Sequence, residues 1–203
     1  MNVNNIKVLL ACEESGECRR AFRKIGFDAW SCDIIPASDN SDYHIQDDIF
    51  NVLNNKQEWH CMIAFWPCTR LCNSGVRWLH ERNLWTEMEQ SALKFKYLLE
   101  FNNIPLRGME NPIPHKYALD IIGSKYDQII HPWQFGHGET KSTCLWLRGL
   151  PKLTPTNITN DRQHRIHRLP PSSDRSKIRS RTYPGIAKAM ADQWGKAIVE
   201  RYR

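Results

Sequence analysis

The segment FWPCTRLCNSG, residues 65–75, sets a Pro-Cys pair directly after an apolar run, and ENP, residues 110–112, sets a carboxyl group after another. A thiolate is a strong nucleophile toward electron-poor carbon, and carbon 6 of a pyrimidine is such a centre. Addition there turns carbon 5 into a nucleophile, provided that an acid engages the ring nitrogen. A glutamate shielded from water, its pKa raised, has that capacity. Cys68 is therefore the candidate nucleophile, held by Pro67, and Glu110 the candidate acid, with Asn111 beside it. The plainer reading of Cys68 is a half-buried turn cysteine, as many free cysteines are.

These groups can meet only if the runs before them are neighbouring strands. IKVLLA (6–11), FDAWSCD (27–33), HCMIAF (60–65), PLRGMEN (105–111), DQIIHPW (127–133) and STCLWLRGL (142–150) read as strands, with a short element at YHI (43–45). Between them a helix runs from a Ser15 cap to about Lys24, with Gly26 as its stop, and DDIFNVLNN forms a brief helix. Trp85, Met88, Ala92, Phe95 and Leu99 recur at steps of 3 and 4, one stripe of a helix over about 84–101. A last helix begins near Pro184, with Ile186, Met190, Trp194 and Ala197 on one face. This alternation predicts one α/β domain over 1–203 with a mostly parallel sheet and helices on both faces. Ligands of such sheets sit beyond the carboxyl ends of the strands, where Glu13 to Gly16, Asp33, Asp48, Cys68 and Glu110 all fall.

At 203 residues the chain is long enough for one core. No apolar run approaches the roughly 20 residues of a membrane span, and the N-terminus lacks the form of a secretory signal. A cytoplasmic protein is expected. Its seven cysteines, at 12, 18, 32, 61, 68, 72 and 144, are then reduced thiols. They lack the C-x-x-C knuckles of a structural zinc site, and adjacent His60 and Cys61 point to opposite faces of a strand, so no metal is expected. The net charge is +6, and residues 161–181 hold seven Lys/Arg against two Asp. Interleaved His, Pro and Ser make this segment a poor core and a good phosphate-contacting surface, with Arg175, Arg179 and Arg181 as candidate contacts.

Taken in order, these motifs resemble the DNA (cytosine-5) methyltransferase family. Pro67-Cys68 is similar to the family's nucleophile loop, and Glu110-Asn111-Pro112 to the pair that holds the cytosine. VLLACEESG is similar to its first motif, with Gly16 as the surviving glycine; Asp33 falls on the acid that contacts the ribose of S-adenosylmethionine. Asp47-Asp48-Ile49 falls on the motif that reaches the adenine. RTYPGIAKAMADQWGKAIV (181–199) is similar to the closing motif, and FGHGETKSTCLWLRGLP (135–151) to a segment of small, phage-borne members. The resemblance implies a Rossmann-like fold that binds S-adenosylmethionine through Cys12, Glu14, Gly16, Asp33, Asp48 and Pro67. It implies methyl transfer to carbon 5 of cytosine in DNA, with the base flipped out of the duplex to reach the thiol.

Some features depart from the family. Its basic Arg-x-Arg motif has no clean match, with Lys141, Arg165 and Arg168 as candidates. A short basic insert, 151–180, stands where relatives carry a large target-recognition domain, so a partner protein is one way for recognition to be supplied. Two other readings stay open: carbon-5 modification of free pyrimidine nucleotides or single strands, and an inactive nucleic-acid-binding protein on the same scaffold. Asp33 and Asp48 have a plainer role as helix caps. Cys72 reads as structural, and Trp66 and Trp78 as either packing or base stacking.

Overall fold

A computed structural model describes residues 2–203, apart from the side chains of residues 167 and 176. Its strands are β1 (Lys7–Ala11), β2 (Asp28–Asp33), β3 (His44–Gln46), β4 (Cys61–Ala64), β5 (Leu106–Pro112), β6 (Gln128–Ile130) and β7 (Thr143–Arg148). They form one sheet in the order β3-β2-β1-β4-β5-β7-β6. All neighbours pair in parallel except β7, which runs antiparallel to both β5 and β6. The fold is the expected α/β arrangement with a mostly parallel sheet.

The central strands are apolar throughout because both faces are covered. Val8, Leu10, Cys61 and Ile63 face α1 (Glu17–Lys24) and α7 (Pro184–Arg201), while Leu9, Ala11, Met62 and Ala64 join the opposite core. That second core is closed by α2 (Ile49–Asn54), α4 (Trp85–Leu99) and α5 (Lys116–Ile122), and Leu79 of α3 (Val76–Glu81) also enters it. The alternation places neighbouring residues at a strand's end on opposite faces, which matters at β5.

Three local expectations shift. Helix α1 starts after Gly16, a left-handed residue at φ 69°. Its first free amides, Cys18 N and Arg19 N, donate to the Glu13 carboxyl at 2.5 and 3.2 Å, whereas Ser15 Oγ lies 3.5 Å from Glu17 N, too far for a strong bond. Glu13 is the cap, not Ser15. The strand expected over 127–133 stops at Ile130, because Pro132 has no amide to continue the ladder and His131 to Gln134 turn instead. In α7 the buried face is completed by Ile198, with Ala197 only half-buried. The segment after β7 runs along the edge of the sheet, where Leu153 is buried and exchanges two hydrogen bonds with Gln128. Between it and α7, among the described residues, only α6 (Arg175–Ser180) and a 3-10 turn at Ile166–Arg168 are regular.

Trp194 closes one core. It is fully buried, a Cβ on Gly108 of β5 would sit 3.4 Å from its ring, and its Nε1 donates to Pro151 O at 2.8 Å. Trp194→Ala is expected to destabilise the protein by about 3–5 kcal/mol, seen as a lower urea midpoint at unchanged slope. A loss below about 1 kcal/mol would show that α7 does not close this face.

Candidate active site

Beyond β4 the chain is fixed from the exit of β5. Asn111 Nδ2 donates to Trp66 O at 2.7 Å, Asn73 N to Ile113 O at 3.0 Å and His115 N to Leu71 O at 2.9 Å. His115 accepts from Ala118 N through Nδ1, 3.1 Å, so Nε2 carries the proton that it donates to Arg70 O at 2.9 Å. Within the loop, Cys68 O accepts from Leu71 N and Cys72 N, both at 3.0 Å, closing one helical turn. Gly75 stands so near the Thr69 carbonyl that a Cβ would lie 2.7 Å from its oxygen, so only glycine fits.

That turn brings the side chains of Cys68 and Cys72 together, with the Cys68 thiol donating to the Cys72 sulfur. Cys72 Sγ is also 3.1 Å from Ser74 Oγ. The bond from Cys68, together with the Ser74 hydroxyl and the amides of Gly75 and Ser74, outweighs burial and brings Cys72 down to about 5. Cys68 moves the other way: its bond to Cys72, then burial and the Glu110 charge, hold its proton on, with Lys141 opposing them. The two thiols thus titrate as a pair, with the proton favoured on Cys68 and the charge on Cys72. Sequence patterning alone makes Cys72 structural; its i, i+4 spacing from Cys68 is visible there, but the turn that makes it a contact is not.

Glu110 and Asn111 leave β5 on opposite faces. Asn111, 1% exposed, faces the loop, and its Oδ1 has no hydrogen-bond partner. Glu110 faces a small cavity lined by Lys141, Thr143, Thr182, Tyr183, Ile186 and Met190. Burial raises its carboxyl above the ordinary range, while the Lys141 charge and a bond from Thr143 pull it back. The charges of Glu110 and Lys141 both act on Cys68, which follows β4, the neighbour of β5.

The third group lies at the ends of β1 to β3. Cys12 takes the turn after β1 at φ 57°, a left-handed conformation usually left to glycine, and Asp33 and Asp48 both act on its thiol. Asp33 is half-buried, raised first by burial and also by Glu14, and accepts from Ile35 N at 3.3 Å. Asp48 is exposed and caps α2 through Phe50 N at 3.0 Å, the plainer role foreseen for it. Cys12, Glu14, Asp33 and Asp48 thus share one rim. Its carboxylates suit a cationic ligand carrying hydroxyl and amino donors, which is the chemistry of S-adenosylmethionine. Pro67 stands exposed at the end of the next strand, and Gly16 is buried under α1, where a Cβ would collide with Arg19.

The basic candidates divide. Lys141 is at Glu110 and donates to Arg179 O at 2.8 Å. Arg165 pairs with Glu139 at 2.8 Å, Arg181 with Glu17, and Lys177 with Glu14 at 3.7 Å. Arg168 is exposed, and no ion pair reaches Arg168, Arg175 or Arg179 among the described residues. Helix α6 therefore lies against the acidic loop after β1 instead of standing free. Among the described residues no cluster of His, Cys, Asp or Glu could hold a metal ion, and no helix is long and apolar enough to cross a membrane.

The chain matches no known family model, and no curated protein matches it. Among solved structures it is similar to a prophage-encoded E. coli protein described as a DNA modification methyltransferase, at a TM-score of 0.50 and 14% identity over 76% of this chain and 52% of that one. The Entamoeba histolytica methyltransferase EhMeth is similar at a TM-score of 0.49 and 17% identity, over 76% of this chain and 57% of that one. The chain thus spans about half the length of the structures it resembles. The likeness to the first is one of fold: an α/β, Rossmann-like methyltransferase fold.

Two outcomes follow for the titrating groups. Thiolate absorbance should show one ionised cysteine at neutral pH, disappearing as pH falls through about 5. Cys72→Ser should abolish that signal; its survival would place the thiolate elsewhere. Glu13 is buried, and burial raises it from 4.5 to about 7 against its two amide bonds and the charges of Arg19 and Arg20. A raised carboxyl binds its proton more tightly when folded, so its stabilising effect is complete below pH 4.5 and is lost as pH rises toward about 7. Glu13→Gln should flatten that decline in melting temperature, and an unchanged pH slope would contradict it.

Proposed function

We propose that this chain transfers a methyl group from S-adenosylmethionine to carbon 5 of cytosine in DNA, through a covalent adduct on Cys68. The observation carrying this reading is that Cys68 follows β4 and Glu110 lies near the end of the adjacent β5, that the charge of Glu110 acts on Cys68, and that Asn111 bonds the loop at Trp66. Cys68 passes its proton to Cys72 as its sulfur bonds carbon 6. Glu110, protonated, donates to the ring nitrogen, and electron density moves to carbon 5. S-adenosylmethionine, held by Cys12, Glu14, Gly16, Asp33, Asp48 and Pro67, would supply an electrophilic methyl group. Loss of the carbon-5 proton to water then re-forms the ring double bond, returns the ring-nitrogen proton to Glu110 and expels Cys68 as a thiolate, which recovers its proton from Cys72.

The similar E. coli protein, described as a DNA modification enzyme, supports DNA as the substrate. The acid-rich rim supports the cofactor. The short 151–180 segment supports target recognition by a partner protein.

Mass spectrometry of DNA incubated with protein and methyl-labelled cofactor should show label in 5-methylcytosine. Glu110→Gln, which cannot protonate the ring, should slow the reaction by about 10²–10⁴-fold. Label in another base would overturn the cytosine reading, and label in no base of the DNA while labelled free nucleotides accumulate would overturn the DNA reading.

A further inference from the structure

The cations foreseen as phosphate contacts are in part already engaged by the protein's own acids, whereas a pair beside the Cys68 loop is not. Arg77, in the first turn of α3, and Arg82, just past its end, are both exposed, and each guanidinium lies 4.2 Å from the ring centre of Trp78. Neither makes an ion pair among the described residues, and Glu81, one turn from Arg77, pairs with neither. Two like charges gathered on one indole without a counter-charge repel each other. The ring's quadrupole offsets only part of that. An anion bridging them relieves the rest.

The position of this pair is set by the loop. The turn Asn73–Gly75 runs straight into α3, Gly75 is packed on Thr69, and Cys72 is bridged to Pro114. The cationic pair is thus rigidly coupled to the segment carrying Cys68. By contrast, Arg181 and Lys177 near α6 must first leave Glu17 and Glu14.

We infer that Arg77 and Arg82, gathered by Trp78, grip the phosphodiester backbone of the nucleic acid whose base enters the Cys68 site. This rests on the nucleic-acid reading above and names a contact surface for it. Phosphate is the fitting anion because a planar guanidinium binds two of its oxygens at once, and consecutive phosphates of a strand offer one partner to each arginine. Trp78 is a positioning residue: it keeps the two heads near each other and loses nothing essential when they turn outward.

The test is the salt dependence of binding to a cytosine-containing duplex, measured by fluorescence anisotropy without cofactor, so that a protein unable to methylate still decides it. Replacing both arginines by alanine should flatten the log–log slope by about 1.8, near 0.9 for each phosphate no longer neutralised. Trp78→Ala should weaken binding several-fold, and Trp78→Phe, which keeps a ring, should restore most of it. Melting temperatures within a few degrees of wild type confirm that the exposed variants fold. A double variant with the wild-type slope, or a wild type whose affinity is indifferent to salt, overturns the inference. So does a Trp78→Phe variant no better than Trp78→Ala.

Discussion

The amide of Asn111 reaches across to the Trp66 carbonyl at 2.7 Å, and this bond holds the exit of β5 against the exit of β4. Around it, Asn73 N donates to Ile113 O and His115 N to Leu71 O, so the segment from Trp66 to Asn73 is built as much from the exit of β5 as from β4. A loop after a parallel strand has no ladder of its own, and its buried polar groups need partners from elsewhere. Here those partners come from the strand that carries Glu110. Nucleophile and acid are consequently fixed relative to each other by the same few bonds that keep the loop folded. The neutral tautomer of His115 belongs to this arrangement, since one nitrogen caps α5 while the other grips Arg70.

Burial then sets the protonation states. Glu110 is half-buried, and desolvation raises its carboxyl above the ordinary range while Lys141 and Thr143 pull it back. Cys72 gathers hydrogen-bond donors at the start of a helical run and becomes the anionic partner of the sulfur pair. In the proposed reaction Glu110 is the acid and Cys72 accepts the proton of Cys68, a sulfur that must lose a proton to attack and regain none until it leaves.

The alternation of Val8 and Leu10 against Leu9 and Ala11 is written in the residues themselves, and with it the order of strands and the rim at their ends. The cap of α1 is not, because Ser15 and Glu13 both precede the helix and only the left-handed turn at Gly16 chooses between them. The part played by Cys72 is hidden for a similar reason: a helical turn within a proline-led loop has no periodic signal. The basic segment after β7 is legible as charge but not as pairing, since Glu14 and Glu17 meet Lys177 and Arg181 only once α6 folds back on the first loop. Sequence patterning reports local periodicity well and long-range pairing poorly.

The central claim is that the Cys68 sulfur bonds carbon 6 of cytosine, and a cytosine bearing fluorine at carbon 5 tests it most directly. Its adduct cannot shed a proton from that carbon, so elimination is blocked and the protein stays attached. With S-adenosylmethionine present, the account predicts a complex with fluorocytosine DNA that survives denaturation, absent in Cys68→Ser and slower to form in Cys72→Ser. A complex that persists in Cys68→Ser, or none with the unaltered protein, would contradict it.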